Sequence, residues 1–293
     1  MNAKIEVVFI INPISGVKSK AAVPDHISNL LDLSKFNFRI EYTQYKGHGK
    51  EIALEASQNG VDCVVAVGGD GTINEIASSL VGSNTALSIV PMGSGNGLAR
   101  HLKIPLSVPG AIKILNQYKK ISIDTCTLND IPFFCTAGVG FDAYVGKVFS
   151  EQKTRGFTTY LKTVVSEFFN YRSLKYKIRI GEEKQKVRAF FISFANASQY
   201  GNNVYIAPEA NLQDGMIDVC IMHPFPKIQA FPLGFKLFRK KIGSFQYLDI
   251  IQAKEIVVKR KKEGVIHLDG EPVMTGKKLS VKIIPSSLNV ISG

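Results

Sequence analysis

The stretch Val64-Val-Ala-Val-Gly-Gly-Asp-Gly-Thr-Ile-Asn-Glu75 decides how this chain is organised. The apolar run Val61–Val67 predicts a strand buried on both faces, as in a parallel sheet, and Ile73–Leu80 has the spacing of a helix. Three glycines between them let backbone N–H groups approach a large anion at the positive end of that helix. Asp70 makes electrostatic sense in such a loop only if a cation such as Mg²⁺ separates the two negative charges. The stretch therefore predicts a nucleotide-phosphate and metal site, although a plain strand–turn–helix also fits it.

Strands alternate with helices across the first part of the chain. Helical patterns separate the predicted strands, which are Lys4–Ile11, Asn37–Tyr42, Val61–Val67 and Ala86–Val90. This alternation predicts a right-handed parallel α/β sheet. Two further turns, Asn12-Pro-Ile-Ser-Gly16 and Pro91-Met-Gly-Ser-Gly-Asn-Gly97, follow strands and should lie at the carboxyl edge, where such sheets bind ligands. Two glycine-rich turns in this context favour a phosphate site over coincidental tight turns.

From Ile121 onward the chain is β-rich, with turn signals at short intervals. The predicted strands are Ile121–Asp124, Phe133–Ala137, Leu174–Ile180, Val187–Ala195, Met216–Met222, Ile250–Lys259, Gly264–Leu268 and Lys278–Ile284. Two stretches read as helices, Thr159–Asn170 and residues 228–241. The pattern predicts a sandwich or an open barrel. Because 293 residues are many for one core, we expect two domains, over residues 1–123 and 124–283.

Composition narrows the class of protein. The net charge of +12, from 36 basic and 24 acidic residues, suits an anionic membrane, a phosphorylated substrate or nucleic acid, and nucleic acid ranks last because no binding motif accompanies the charge. None of the cysteines forms a Cys-x-x-Cys pair, so we expect buried reduced thiols at Cys63, Cys126, Cys135 and Cys220. No apolar stretch is long enough to span a bilayer and no signal-peptide layout is visible, so we expect a cytoplasmic protein.

The ordered motifs resemble the diacylglycerol kinase catalytic-domain superfamily, which contains diacylglycerol, sphingosine and ceramide kinases and bacterial lipid kinases. The N-terminal motifs that carry the resemblance are Asn12-Pro-x-Ser-Gly16, Gly68-Gly-Asp-Gly-Thr72 and Pro91-x-Gly-Ser-Gly-Asn96. The later ones are Ala207-Pro208-x-Ala210, Asp214-Gly215 and His267-Leu-Asp-Gly-Glu271. The resemblance implies an N-terminal nucleotide-binding α/β domain, to which residues 284–293 return. It also implies a β-rich C-terminal domain for the lipid substrate, with the active site in the cleft between the domains.

The resemblance also implies a chemistry, the ATP- and Mg²⁺-dependent phosphorylation of a lipid hydroxyl in phospholipid metabolism. It implies a nucleotide site made of Asn12, Ser15, Gly16, Thr43, Gly69, Asp70, Gly71, Thr72, Asn74, Glu75, Gly93 and Ser94. Glu271 matches the general base, a reasonable role because the alcohol proton need only leave late in phosphoryl transfer. Asp70 and Asp124 match the acidic residues around the catalytic Mg²⁺. A separate structural Mg²⁺ site is implied at Asn211, Asp214 and the carbonyl of Met216.

Two positions depart from the family pattern. Asn211 is neutral where the family is typically acidic, which weakens the structural metal site. Gly97 stands where many bacterial diacylglycerol kinases have an aspartate of the Mg²⁺ network. The version with glycine is similar to the sphingosine-kinase branch. The second departure weakens diacylglycerol as the specific substrate and leaves Asp70 and Asp124 to hold the metal.

A lipid kinase without a membrane-spanning helix has to meet its substrate at the membrane surface. Residues 224–243 combine large apolar side chains with the basic cluster Lys236–Lys241, as interfacial segments do, and residues 159–171 have a comparable apolar face. Helices that simply cover the β-rich domain would fit both segments equally well. We expect peripheral contact with an anionic membrane.

Two other functions fit parts of the sequence. A NAD kinase shares the first glycine loop and the two-domain plan, but the second glycine turn and the Asp-Gly-Glu turn argue against it. A catalytically silent nucleotide- or lipid-binding protein is favoured by Gly97 and Asn211. Within the lipid-kinase interpretation, diacylglycerol-like and sphingoid-type acceptors both fit the motifs.

Overall fold

The structure, a computed structural model, describes residues 3–14, 19–152 and 156–293. Contacts divide the chain into two compact units, Met1–Ile123 with Ser286–Gly293, and Asp124–Pro285. Two residues of the predicted nucleotide site, Ser15 and Gly16, lie outside the described residues. Within the described ranges, no helix is long and apolar enough to cross a membrane.

The N-terminal unit is built on a parallel sheet. Its first four strands are β1 (Ile5–Ile11), β2 (Phe36–Tyr42), β3 (Cys63–Gly68) and β4 (Ala86–Pro91). They are arranged in the order β2-β1-β3-β4 with parallel pairing throughout. The helices of this unit are α1 (Val23–Leu30), α2 (His48–Gln58), α3 (Asp70–Leu80), α4 (Gly97–His101) and α5 (Val108–Gln117). The predicted parallel α/β fold is confirmed.

The burial of the central strands explains their apolar sequence. β3 and β4 are buried along their whole length, and Val64 and Val65 expose no surface. Each such side chain contributes about 1.5–3 kcal/mol relative to an exposed one. Because the strands are parallel, their carboxyl ends share one edge, and the turns after Ile11, Gly68 and Pro91 are brought to that edge.

In its described residues, the C-terminal unit contains two antiparallel sheets and three α-helices. Its strands are β5 (Lys120–Leu128), β6 (Ile131–Phe133), β7 (Thr136–Gly140), β8 (Leu174–Ile180), β9 (Glu183–Ala189), β10 (Phe191–Ala195), β11 (Ile217–Met222), β12 (Leu248–Ala253), β13 (Glu255–Arg260), β14 (Gly264–Leu268), β15 (Glu271–Thr275) and β16 (Lys278–Ile291). The helices are α6 (Phe141–Ser150), α7 (Phe157–Phe168) and α8 (Ala230–Phe238). β5 begins before the division at Asp124, and the end of β16 groups with the N-terminal unit, where Val290 pairs with Leu87.

The two sheets of this unit pack face to face. One contains β16-β13-β8-β9 with the β5–β6 hairpin, and the other runs β12-β11-β10-β7-β14-β15. A single apolar core unites side chains from both sheets, among them Cys126, Val139, Phe194, Ile256 and Val281, each at most 2 % exposed. The predicted β-rich sandwich is confirmed. The four cysteines are buried and free of disulfides, as expected.

Several element boundaries differ from the sequence predictions. α6 was not predicted, because the run around Phe141 and Val145 is apolar on a glycine-rich background and reads as extended chain. Both side chains pack on the outer face of the second sheet, so tertiary contacts stabilise this helix rather than its own propensity. The predicted single strands Val187–Ala195 and Ile250–Lys259 are each two strands, β9 with β10 and β12 with β13.

Candidate active site

The two glycine-rich turns of the N-terminal unit meet at the carboxyl edge of its sheet. β3 ends at Gly68 and α3 begins at Asp70, so the amides of the first helical turn point outward from this edge. The second turn connects β4 to α4. A Cβ at Gly93 would lie 2.8 Å from the Cα of Gly69, so the two turns touch backbone to backbone and position 93 requires glycine.

Asn96 holds the second turn in its shape. Its Oδ1 accepts the N–H of Gly93 at 3.0 Å, and its Nδ2 donates to the Gly93 carbonyl at 2.8 Å. The residue is 3 % exposed and has a left-handed backbone with φ of 53°, which asparagine adopts more readily than most residues. The closed turn leaves Ser94 exposed at its tip, where the hydroxyl group can reach a ligand.

Asp70 joins the two glycine-rich turns. Its Oδ2 accepts the N–H of Asn96 and its Oδ1 accepts the N–H of Gly97, both at 2.8 Å. The sequence pattern predicts a metal function for Asp70 but does not indicate this second function, because the partners are more than twenty residues away along the chain. A carboxylate accepts up to about four hydrogen bonds, so the arrangement remains compatible with a water-mediated contact to Mg²⁺.

Asn12 and Thr72 connect the first turn of the chain with the glycine loop. Asn12 donates through Nδ2 to Thr72 Oγ1 at 3.2 Å, and its backbone N–H donates to the Val67 carbonyl at 3.2 Å. Its Oδ1 accepts the N–H of Ile14. Asn12 is therefore held at the edge where the glycine-rich turns meet.

Glu75 accepts hydrogen bonds from the N-terminal turn of α2. Its Oε1 accepts the N–H groups of Gly49 at 2.8 Å and Lys50 at 3.3 Å, in the first turn of α2. A carboxylate at a helix N-terminus satisfies amides that have no partner within the helix and interacts favourably with the helix dipole. The structure thus gives Glu75 an architectural function that the sequence analysis did not predict.

The remaining predicted nucleotide residues differ in exposure. Thr43 follows β2, is 8 % exposed, and donates its N–H to the Ile11 carbonyl at 3.0 Å. Gly69 is buried just before α3, whereas Gly71 and Asn74 are half-buried within that helix. All belong to segments that end at or start from the carboxyl edge.

Asp124 binds the turn that carries the predicted structural metal site. Its Oδ2 accepts the N–H of Gly215 at 2.7 Å, and its own N–H donates to the Leu212 carbonyl at 2.6 Å. Its backbone carbonyl accepts from Nδ2 of the buried Asn196 at 2.9 Å. Asp124 is 1 % exposed, so within the C-terminal unit this carboxylate is an internal support of the turn.

The turn itself has local hydrogen bonds. Asn211 Oδ1 accepts the N–H of Gln213 at 3.1 Å, and Asp214 Oδ1 accepts the N–H of Met216 at 2.9 Å. The structure therefore brings Asn211, Asp214 and Met216 together in one tight turn. Nowhere in residues 3–14, 19–152 and 156–293 do three or more His, Cys, Asp or Glu side chains gather in a group that could hold a metal ion.

Glu271 stands at the end of a two-residue hairpin turn. Asp269 and Gly270 have φ of 47° and 89°, as in the turns that match the twist of paired strands, and Leu268 pairs with Glu271. The Asp269 carboxylate accepts three backbone N–H groups, from Phe134, Cys135 and Thr136, at 2.7–3.0 Å. Asp269 thus holds the hairpin in place, while the Glu271 side chain is exposed to solvent.

A buried polar pair includes His267, which lies on β14 just before this hairpin turn. His267 Nε2 and Asp142 Oδ2 are 3.2 Å apart, with side chains only 5 % and 11 % exposed, and the pair links β14 to α6. Tyr200 donates to the same Asp142 oxygen at 3.5 Å. Burial, and then the charge of Asp142, raise the pKa of Tyr200 well above its usual value, so the phenol keeps its proton. This pair could not be predicted from the sequence, because its members are 125 residues apart.

Comparison with known proteins agrees with this architecture. Residues 6–128 match the family model described as the diacylglycerol kinase catalytic domain, and residues 135–292 match that of the YegS C-terminal NAD kinase beta sandwich-like domain. The chain therefore belongs to the family of diacylglycerol kinases and YegS-like lipid kinases. By class it is a kinase, a phosphotransferase.

Individual relatives share moderate sequence identity with this chain. A protein of Klebsiella pneumoniae named probable lipid kinase YegS-like is 28% identical over 265 residues, covering 89% of this chain and 88% of that protein. One of the same name from Pseudomonas aeruginosa is 29% identical over 259 residues, covering 86% and 83%. A crystal structure of a diacylglycerol kinase from Bacillus anthracis has a TM-score of 0.74 at 18% identity, covering 98% of this chain and 97% of that one, and shows the shared fold.

Proposed function

We propose that this chain transfers the γ-phosphoryl group of ATP to the hydroxyl group of a membrane lipid of the diacylglycerol or sphingoid type. The observation that carries the proposal is the pair of glycine-rich turns joined by Asp70. This arrangement offers helix-end amides and an oxygen ligand at one edge of a parallel sheet, where phosphates bind. Membership of the lipid kinase family supports the same reaction.

Mg²⁺ fits the donors that the chain offers. Mg²⁺ keeps several waters and binds one or two carboxylates together with substrate phosphates, so it needs no cage of three acidic side chains. We assign Asp70 and Asp124 to it through water, and we assign a second, structural Mg²⁺ to Asn211, Asp214 and the Met216 carbonyl. When bound, the ion offsets the negative charge of the transferred phosphoryl group.

The protein's own groups bind and orient the reactants. The amides at the start of α3 and the exposed Ser94 hydroxyl donate to phosphate oxygens, with Asn12 and Thr43 completing the nucleotide site. The exposed Glu271 carboxylate accepts the proton of the lipid hydroxyl as the oxygen–phosphorus bond forms. We propose that the reaction takes place in the cytoplasm, at an anionic membrane surface, and serves phospholipid metabolism.

Transfer of label from ATP tests this proposal. The protein is incubated with γ-labelled ATP and a total lipid extract, and in parallel with NAD, each with Mg²⁺ or with EDTA. We expect label in one lipid species, and only with Mg²⁺. Label in NADP would instead identify a NAD kinase, and ATP binding without transfer to any acceptor would identify a silent binding protein.

A further inference from the structure

The outer face of α8 and the turn before it expose a row of large apolar side chains. Ile228, Phe231, Phe235 and Phe238 recur at helical spacing and are 72 %, 82 %, 60 % and 47 % exposed. On the opposite face Leu233 is 8 % exposed and packs in the core of the unit, so α8 is a fixed element with one apolar face uncovered. We call these four residues the aromatic ridge. Contiguous apolar exposure of this kind marks an interaction site.

A second apolar row continues this surface. Leu161 and Val165 of α7, and Phe169 directly after its last residue, follow at intervals of four residues and are 44 %, 55 % and 55 % exposed. Lys227, which immediately precedes the aromatic ridge, donates from Nζ to the Phe169 carbonyl at 2.5 Å and lies 5.4 Å from its ring centroid. The two helices therefore present adjoining apolar rows within the same unit.

The charge around the ridge favours an anionic membrane as its partner. Residues 224–245 contain five basic residues and no acidic one. The Arg239 guanidinium lies 5.2 Å from the Phe235 ring, so positive charge is placed directly beside the exposed rings. Aromatic and aliphatic side chains that insert at the acyl boundary, flanked by cations that meet lipid phosphates, characterise an interfacial helix. Pairing with a second copy of this surface would instead bring two sets of like charges together.

We propose that the aromatic ridge and the α7 row form the docking surface through which this protein binds an anionic bilayer. The inference rests on the proposed function in one respect, since a lipid acceptor held in a bilayer requires such a surface. Its test is independent of catalysis, because binding to vesicles is measured without ATP.

Tryptophan fluorescence reads out insertion directly, because the chain contains no tryptophan. Phe231→Trp gives a single probe at the ridge, and Ile131→Trp gives a matched probe at a 41 % exposed position in the β5–β6 hairpin. With vesicles containing about 30 % phosphatidylglycerol we expect a blue shift and quenching by brominated acyl chains for position 231 only. Pure phosphatidylcholine vesicles should bind weakly. An unchanged spectrum at position 231, or equal shifts at both positions, overturns the proposal.

Substitutions measure the contribution of each part. Phe231→Ser with Phe235→Ser should lower vesicle partitioning by about tenfold or more, and Arg239→Gln by roughly fivefold, whereas Ile131→Ser should not change it. Activity on a short-chain soluble lipid should survive the double substitution. If wild type binds vesicles but phosphorylates no lipid, the surface stands and the proposed function fails. Wild-type partitioning by the double variant, or a dimer that dissociates on substitution without vesicle binding, overturns the docking surface.

Discussion

The glycine-rich edge of the N-terminal unit and the Glu271 hairpin of the C-terminal unit use an aspartate in the same way. Asp70 accepts two backbone N–H groups from a distant turn, and Asp269 accepts three from the segment that starts β7. Each aspartate precedes a glycine in a motif that carries the resemblance to the diacylglycerol kinase superfamily. The groups that we propose to act on substrate, Ser94 and Glu271, are instead exposed beside these turns. In the C-terminal hairpin, support and proposed reactivity are thus divided between Asp269 and Glu271 of one motif, and at the glycine-rich edge between Asp70 and Ser94 of two turns that touch.

The largest effect should come from removing the carboxylate that we propose as the proton acceptor, Glu271, and leaving its support, Asp269, intact. Glu271→Gln keeps the size and exposure of the side chain but removes the proton acceptor, so we expect a loss of about 10³-fold in kcat with little change in stability. Glu263→Gln is the matched control, since it alters an exposed glutamate at the other end of the same hairpin. Equal rates for Glu271→Gln and wild type would remove Glu271 from the mechanism.

Removal of the support should act on stability first. Asp269→Ala leaves the N–H groups of Phe134, Cys135 and Thr136 without their acceptor, and we expect a loss of about 3 kcal/mol in the free energy of unfolding of this unit. Asp269→Asn should cost less, because its amide oxygen still accepts. Urea unfolding followed by circular dichroism measures both. If Asp269→Ala impaired catalysis at wild-type stability, the division between the two carboxylates would be wrong.

In the N-terminal unit, substitution of Asp70 should lower the free energy of unfolding by less than Asp269→Ala does, because Asp70 accepts two of these backbone hydrogen bonds and Asp269 accepts three. In Asp70→Asn one amide N–H₂ would face the N–H of Asn96 or Gly97, so we expect a loss of about 2 kcal/mol together with weaker ATP binding. Asp62→Asn is the control, because its carboxylate accepts a single N–H, from Glu6, near the opposite edge of the sheet. Titration with ATP and thermal unfolding separate the two effects. If Asp70→Asn were as stable as wild type, the structural function of Asp70 would be ruled out and only its proposed contact with Mg²⁺ would remain.

The sequence predicts the sheet and its turns, but it does not predict the hydrogen-bond partners of these carboxylates. The parallel sheet was predictable because Val61–Val67 is apolar over its whole length, and the meeting of the glycine turns followed from parallel topology. The partners of Asp70 and Asp269 were not predictable, since backbone N–H groups leave no residue-type signal. The same holds for the pairing of His267 with Asp142, which depends on how β14 and α6 pack.

The smallest effect on stability should come from Asp218, a buried carboxylate whose hydrogen bond offsets only part of the cost of burying its charge. Burial raises the pKa of Asp218, and the hydrogen bond with the Gln252 side chain lowers it by less. A carboxyl pKa raised by folding means that the ionised form destabilises the fold above that pKa, and that the penalty disappears as the pH falls through it. Asp218→Asn should therefore stabilise the protein at pH 7 by less than about 1 kcal/mol, and the gain should vanish at about pH 4. Thermal unfolding of both proteins across this range measures the difference. A destabilised Asp218→Asn at pH 7 would show that Asp218 stabilises the fold through its hydrogen bonds, as we expect of Asp70 and Asp269.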